Sequence, residues 1–338
     1  MQLTNIDKCP ISGVSGPVVY AGARDAFFDT PGNWSYRRDM RSGHLWLDPR
    51  PIDECIGELY STYHTHGGGS RNKDDLWMRA ISVALARSLG YPNSLRSDWR
   101  ARLVARFPTV KAAAELEVMR VPANERGRLL DYGCGSGAFL ERMKLAGWQA
   151  YGIEPDESAA ARLSAREGIS VFPSVEDLLS HDIHPFDVIT LGHVIEHVPD
   201  PIATLASLRR LLGRSGRLII TTPNATSLGS RIFGAAWRGL EPPRHLNIFT
   251  RKSLCDALRL AGLTPTRAIT DLRLARRIWV LSVLARQGYS SLETSGTSER
   301  KMLKVGGMIF QLAEAAMSLF NPDLGEEIFC TAIIASER

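Results

Sequence analysis

Seven residues, Asp131-Tyr132-Gly133-Cys134-Gly135-Ser136-Gly137, set a carboxylate just ahead of three glycines, a pattern suited to binding a small charged molecule. Glycine lets backbone N–H groups approach a ligand that side chains would hold away, and a helix starting after such a turn favours that contact. A second carboxylate, Glu154, lies 21 positions after Gly133 and can accept two hydrogen bonds from a ribose diol. A dinucleotide would fit these features too, and Gly133-x-Gly135-x-x-Ala138 satisfies a relaxed nicotinamide-nucleotide fingerprint. Asp131 discriminates. Beside an anionic pyrophosphate it is repelled, whereas beside an ammonium and a sulfonium it is attracted.

Three histidines carry possible proton chemistry: His193, His197 and His245. Glu196-His197 precedes the helix start Asp200-Pro201 and reads either as a buried pair tying down a loop or as part of a site. His245 lies in Trp237-Arg238-Gly239-Leu240-Glu241-Pro242-Pro243-Arg244-His245-Leu246, a proline-stiffened loop. An aromatic, an arginine and a histidine there suit an oxygen nucleophile with a negative charge nearby. His245 is then a general base or a satisfied loop histidine, and Arg244 meets a phosphate, a carboxylate or its neighbour Glu241. No metal set is expected. Cys9-Pro10-Ile11-Ser12-Gly13 and Asp39-Met40-Arg41-Ser42-Gly43 echo a C-x2-C-G knuckle, but zinc needs about four N or S ligands and only one thiol remains. His64-Thr65-His66 before three glycines reads as a polar loop.

The elements that must position these groups follow from periodicity. Residues 1–72, rich in Gly, Pro and aromatics, are expected to form a small β-rich module, and 73–124 a helical connector with Leu76, Ile81, Val83, Leu85 and Leu89 on one face. From about 125 to the end, strands alternate with helices: strands at 128–131, 150–154, 170–172, 186–191 and 217–222, helices at 138–146, 157–166, about 201–212 and 251–262. That alternation predicts an α/β fold with a mostly parallel sheet and helices on both faces. Strands are also expected at 266–272 and 327–334. Between them an insertion, 273–325, carries two amphipathic stretches that read as a lid over an acceptor pocket or as a surface that touches a membrane.

Three blocks, Leu130 to Gly137, Gly152-Ile153-Glu154-Pro155, and Phe186-Asp187-Val188-Ile189 running into His193-Val194-Ile195-Glu196-His197-Val198-Pro199-Asp200-Pro201, resemble the class I S-adenosylmethionine-dependent methyltransferases. The resemblance is to the branch of ubiquinone-biosynthesis O-methyltransferases and of enzymes of cell-surface saccharide and natural-product pathways. It covers about 125–272 and the last strand, and implies a seven-stranded Rossmann-like sheet with an antiparallel final strand. It further implies S-adenosylmethionine as cofactor: Asp131 near its methionine portion, Gly133, Gly135 and Gly137 beneath it, Glu154 on its ribose, and Gly192 and His193 beside its methionine and sulfonium. Trp237, Arg244 and His245 resemble the segment that meets the acceptor. The N-terminal part resembles a degenerate zinc ribbon, Ser12, Asp39 and Ser42 standing where cysteines are expected; Tyr60 and Tyr63 lean over the donor or pack on a helix face.

Composition narrows the partners. The formal charge of +5 comes from 41 basic and 36 acidic residues spread along the chain, without the basic stripe typical of nucleic-acid binding. Five scattered cysteines suggest no disulfide framework, and neither a signal-peptide layout nor a membrane-spanning run is evident, so a cytoplasmic setting is expected, with or without contact at a membrane surface. The expected partner is a small-molecule or saccharide acceptor. An NAD(P)-dependent oxidoreductase or epimerase and a catalytically silent methyltransferase-like protein are the alternatives.

Overall fold

The computed structural model describes every residue except 29, 61–74, 93–97, 165–167, 289–296 and 336–338. Tyr63, His64 and His66 therefore lie outside the described residues. The chain opens with β1 (Leu3–Thr4), β2 (Val18–Ala23), β3 (Trp34–Arg38), β4 (Leu45–Leu47), β5 (Arg50–Pro51) and α1 (Asp53–Ile56). Three helices follow, α2 (Leu76–Leu89), α3 (Trp99–Val104) and α4 (Pro108–Glu117). Next come β6 (Arg128–Tyr132), α5 (Ala138–Leu145), β7 (Gln149–Ile153), α6 (Glu157–Ser164), β8 (Ser170–Phe172), α7 (Val175–Ser180) and β9 (Phe186–Gly192). The remainder comprises α8 (Pro201–Leu211), β10 (Leu212–Pro223), α9 (Leu228–Phe233), β11 (Asn247–Ile248), α10 (Arg251–Leu260), β12 (Leu263–Asp271), α11 (Ala275–Gln287), α12 (Thr297–Ser318) and β13 (Glu327–Ile334).

Seven strands pair in the order β12-β13-β10-β9-β6-β7-β8. β6 runs parallel to β7 and β9, and β7 to β8, while β13 is antiparallel to β12. This is the mostly parallel sheet that the strand–helix alternation predicts. Its central strands are apolar on both faces, with Leu129, Leu130, Val188, Ile189 and Leu191 all buried, as a sheet flanked by helices requires. Helix starts are fixed locally: Ser174 accepts from the Asp177 amide at 3.0 Å, and Thr250 and Ser253 form a reciprocal capping box.

The chain packs as two units. One comprises His64–Gly192 and Leu211–Ile219. In it, α2, α3 and α4 close on a small core of Ala80, Ile81, Val83, Ala84, Ala101, Ala105, Val110 and Ala114.

The other unit comprises Met1–Tyr63, His193–Arg210 and Ile220–Arg338. Here the sequence expectation of a separate module at 1–72 differs from the packing. The N-terminal sheet has the order β11-β4-β3-β2, so a strand from the far end of the sequence completes it, with Ile248 opposite Leu45. Its core likewise mixes Trp34, Tyr36, Leu45 and Leu47 with Trp237, Leu240, Leu246 and Ile248. The reason is size: so few residues cannot bury several large aromatics on their own.

Of the two knuckle-like turns, one precedes β2 and the other joins β3 to β4. Gly13 donates to the Cys9 carbonyl at 2.9 Å and Gly43 to the Asp39 carbonyl at 2.7 Å, both glycines having positive φ. Asp39 is buried and accepts from Ser42 Oγ at 2.6 Å, from the Arg41 amide at 2.9 Å and from Ser12. Burial acts to raise its carboxyl, and these hydrogen bonds outweigh it, holding the group below its ordinary value. In the insertion, α11 packs on α9 side by side with α12, through Ala275, Trp279, Leu228 and Phe310. α12 leaves Met302, Val305, Met308, Ile309 and Leu312 exposed along its other side.

Candidate active site

Strand β6 ends in the glycine turn. Gly135 has φ 53 and Gly137 φ 73, left-handed values that other residues adopt only under strain. A Cβ at Gly137 would come within 2.3 Å of Leu163, whereas one at Gly135 would meet nothing among the described residues. The bend is thus tight against the protein on one side and bare on the other, which is the shape a backbone-bound ligand requires. Gly152, which sequence reasoning did not single out as a glycine, completes it: a Cβ there would clash with Cys134 Sγ at 2.6 Å. The Cys134 thiol is buried, and burial raises its pKa far above the ordinary value, so it is inert.

Asp131 sits beneath this turn, 8% exposed. Burial pushes its carboxyl up to about 7; the Thr190 hydroxyl, which donates to Oδ1 at 2.7 Å, offsets this only in part, and Glu154 adds to the rise. Thr190 faces Asp131 because β6 and β9 pair in that register. A carboxylate so poorly solvated gains strongly from an arriving cation. Glu154, at the end of β7, accepts from the Gly135 amide at 2.7 Å and the Asp156 amide at 3.2 Å. It braces the turn that the sequence assigned it to extend toward a ribose. Gly192 ends β9 within the same unit.

In the other unit, His193 stands at φ 56 with its amide on the Thr221 carbonyl at 2.9 Å. Its Nε2 lies 2.6 Å from Glu327 Oε1 and its Nδ1 3.3 Å from Glu196 Oε1. Arg273 also reaches Glu327, at 3.3 Å. Burial works against a charged ring, but Glu196 and Glu327 outweigh it and hold the imidazole up to about 10. Glu196, whose burial would raise it, is held down to about 2 by His193. Held between two carboxylates, the His193 ring is a buried cation across the neutral range. Its stabilising contribution is fully present below about 6.5 and lost as pH climbs through about 10. Chemical denaturation across that window should show the loss, and His193→Gln should flatten it.

The loop expected to meet the acceptor turns its polar groups inward. Trp237 Nε1 donates to Glu326 Oε2 at 2.8 Å. Arg244 is 1% exposed, its guanidinium 2.9 Å from Asp25 Oδ2, 3.1 Å from Glu241 Oε1 and stacked 4.1 Å from the Phe28 ring centroid. Glu241 also pairs with Arg238, and its carboxyl lies well below the ordinary range: burial would raise it, and Arg238, His245 and Arg244 prevail. Of the three readings of Arg244, the geometry supplies the carboxylate neighbours. His245 is buried, its Nδ1 2.8 Å from the Gly239 carbonyl and its ring 4.6 Å from that of His197. Burial, reinforced by His197, lowers its pKa to about 4. His197 Nδ1 in turn lies 3.0 Å from the Arg244 carbonyl. The N-terminal sheet clamps this loop directly: Tyr36 Oη donates to the carbonyls of Leu240 at 2.7 Å and His245 at 2.8 Å.

Sequence reasoning missed Thr190, Asp25, Glu241 as an ion-pair centre, Arg273 and Glu327. It missed as well the buried carboxyls Glu326 and Glu314, which burial pushes up to about 7 and about 9. The acidic doublet Glu326-Glu327 opening an otherwise apolar strand was the one legible signal.

A family model described as a methyltransferase domain matches residues 100–268. A ubiquinone biosynthesis O-methyltransferase from Xanthomonas axonopodis pv. citri is 39% identical over 148 residues, covering 40% of this chain and 62% of that protein. One from Cereibacter sphaeroides is 36% identical over 173 residues, covering 47% of this chain and 70% of that protein. The chain thus aligns with less than two thirds of the Xanthomonas relative. Among solved structures, an S-adenosylmethionine-dependent methyltransferase from Mesorhizobium loti is similar at 15% identity and TM-score 0.42, covering 65% of this chain and 97% of that one. The chain belongs to the methyltransferase-domain family, and its seven-stranded sheet is the one such a domain is expected to have.

Proposed function

We propose that this chain transfers the methyl group of S-adenosylmethionine to an oxygen of a small molecule or a glycan or lipid-linked precursor. The buried carboxylate Asp131 under a bare glycine bend carries the reading, because it favours a cationic ligand and disfavours a pyrophosphate. The oxygen acceptor follows the relatives' names. When bound, the donor supplies an electrophilic methyl on a cationic sulfur. The chain's own part is to hold it: Asp131 by charge, the amides at Gly133, Gly135 and Gly137 by close approach, Glu154 through the turn it braces, Gly192 by lining. Aligning the reactants accounts for several kcal/mol of the barrier in reactions of this kind. Calorimetry with adenosylmethionine and adenosylhomocysteine tests donor binding, and a labelled-methyl screen of phenols and saccharides tests the acceptor. Binding of NADH in place of either would refute the proposal.

Trp237, Arg244 and His245 are assigned to shaping the acceptor loop, with His245 as its anchor in place of a base. A neutral, buried imidazole tied to the Gly239 carbonyl is a weak proton acceptor. His245→Ala should then lower the chemical step by less than about tenfold once donor and acceptor are saturating, measured by single-turnover methyl transfer, and should lower the melting temperature. The N-terminal knuckles are assigned a metal-free role, which emission spectroscopy would contradict by finding stoichiometric zinc. No helix among the described residues is long and apolar enough to cross a membrane. The exposed stripe of α12 is the part of the insertion assigned to weak membrane or lipid contact.

A further inference from the structure

A second surface, in the other unit, has the composition of an interfacial segment. Trp99 and Leu103 stand one turn apart on α3, and Phe107 follows as the residue before α4. They are 69%, 51% and 58% exposed, although each is among the side chains that most favour burial. The opposite side of the same segment, Ala101 and Ala105, is packed against α2 and α4, so the exposed stripe is not the core-facing one. Trp77, 41% exposed, lies at the start of α2, close to the start of α3, since Arg79 Nη1 is 3.3 Å from Asp98 Oδ2.

Basic residues border the stripe. Arg100, Arg102 and Arg106 are exposed, and the Arg100 guanidinium lies 5.5 Å from the Trp99 ring centroid. Arg87 is exposed as well and donates to the Arg102 carbonyl at 3.3 Å. Asp98 is used locally: it caps α3 by accepting from the Ala101 amide at 2.9 Å and meets Arg79. The border is therefore strongly cationic. A second copy presenting the same arginines would be repelled, which disfavours self-association through this face. Apolar and aromatic side chains flanked by arginines are instead the layout of a segment that lies in the headgroup region of a membrane, the tryptophans at the boundary and the cations on lipid phosphates.

We propose that Trp99, Leu103 and Phe107, with Arg100, Arg102 and Arg106, form a docking surface for an anionic lipid bilayer. This surface is independent of α12 and of the identity of the acceptor. Its use would raise the local concentration of apolar acceptors without any pocket residue taking part.

The test is flotation of the full chain with vesicles of phosphatidylcholine alone or mixed with phosphatidylglycerol. Recovery with the mixed vesicles, little with phosphatidylcholine, and loss on raising salt are expected. The triple variants Trp99→Ser/Leu103→Ser/Phe107→Ser and Arg100→Glu/Arg102→Glu/Arg106→Glu should each bind at least about tenfold more weakly. Adenosylhomocysteine binding, which involves none of these residues, should be unchanged and shows that the variants are folded. A Met308→Ser/Ile309→Ser/Leu312→Ser variant should keep most of the binding. No recovery of the wild-type chain, full recovery of either surface variant, loss confined to the α12 variant, or binding of a single-stranded oligonucleotide in preference to vesicles would each overturn the proposal.

Discussion

Replacing Asp131 with asparagine is expected to weaken adenosylmethionine binding by on the order of 2–4 kcal/mol, the range for removing one member of a buried charge pair. The shape of the site is kept, since asparagine fills the same volume and its amide oxygen still accepts from Thr190. The wild-type chain should add a pH dependence that the variant lacks. Asp131 alone titrates near about 7, because burial disfavours its charge. A cationic donor favours the carboxylate and lowers that value in the complex. Between the two values, binding releases a proton. Affinity should therefore rise with pH up to about 7 and then level. Calorimetry in buffers of different ionisation heat would detect the released proton below neutrality, and Asp131→Asn should show neither the release nor the slope. An unchanged affinity in the variant would remove the electrostatic basis of the assignment.

Arg244→Met should be the most destabilising single change in the acceptor loop. It deprives two buried carboxylates, Asp25 and Glu241, of a shared partner, and breaking a buried ion pair from one side typically costs about 3–5 kcal/mol. Arg238 remains on Glu241, so Asp25 is the group left without its cation. Asp25 also accepts from the amides of Phe27, Phe28 and Thr30, so the lost order should spread through that turn. Equilibrium denaturation measures the cost. A variant within about 1 kcal/mol of wild type would mean that the pair contributes as little as an exposed one. The carboxylates here and at Glu196 lie below their ordinary values, so their contribution is present above the usual carboxylate range and fades as pH falls through about 2 for Glu196.

The glycine turn was legible because its parts are close in sequence and governed by local rules. A strand, a glycine turn and a helix fix Asp131, Gly133, Gly135 and Gly137, and the next strand brings Glu154 alongside. Thr190 was not legible, since its place opposite Asp131 depends on a strand register that periodicity leaves open. The proline-stiffened loop around His245 was located but its electrostatics were not. Arg244 invites an external anion until Asp25, from the N-terminal part, is found beside it. His193 was placed correctly after its strand, yet its charge is set by Glu327, 134 residues downstream. Nor was β11 legible, for the same reason: pairing between Leu45 and Ile248 leaves no trace in local composition.

The way the two N-terminal turns are joined has a practical consequence for handling the protein. Ser12, Asp39 and Ser42 are joined by oxygen-to-oxygen hydrogen bonds, where a cluster of sulfur ligands would tie the protein's folding to its supply of cation and to its oxidation state. These hydrogen bonds should hence survive chelators, and give way to acid, which takes the charge from Asp39.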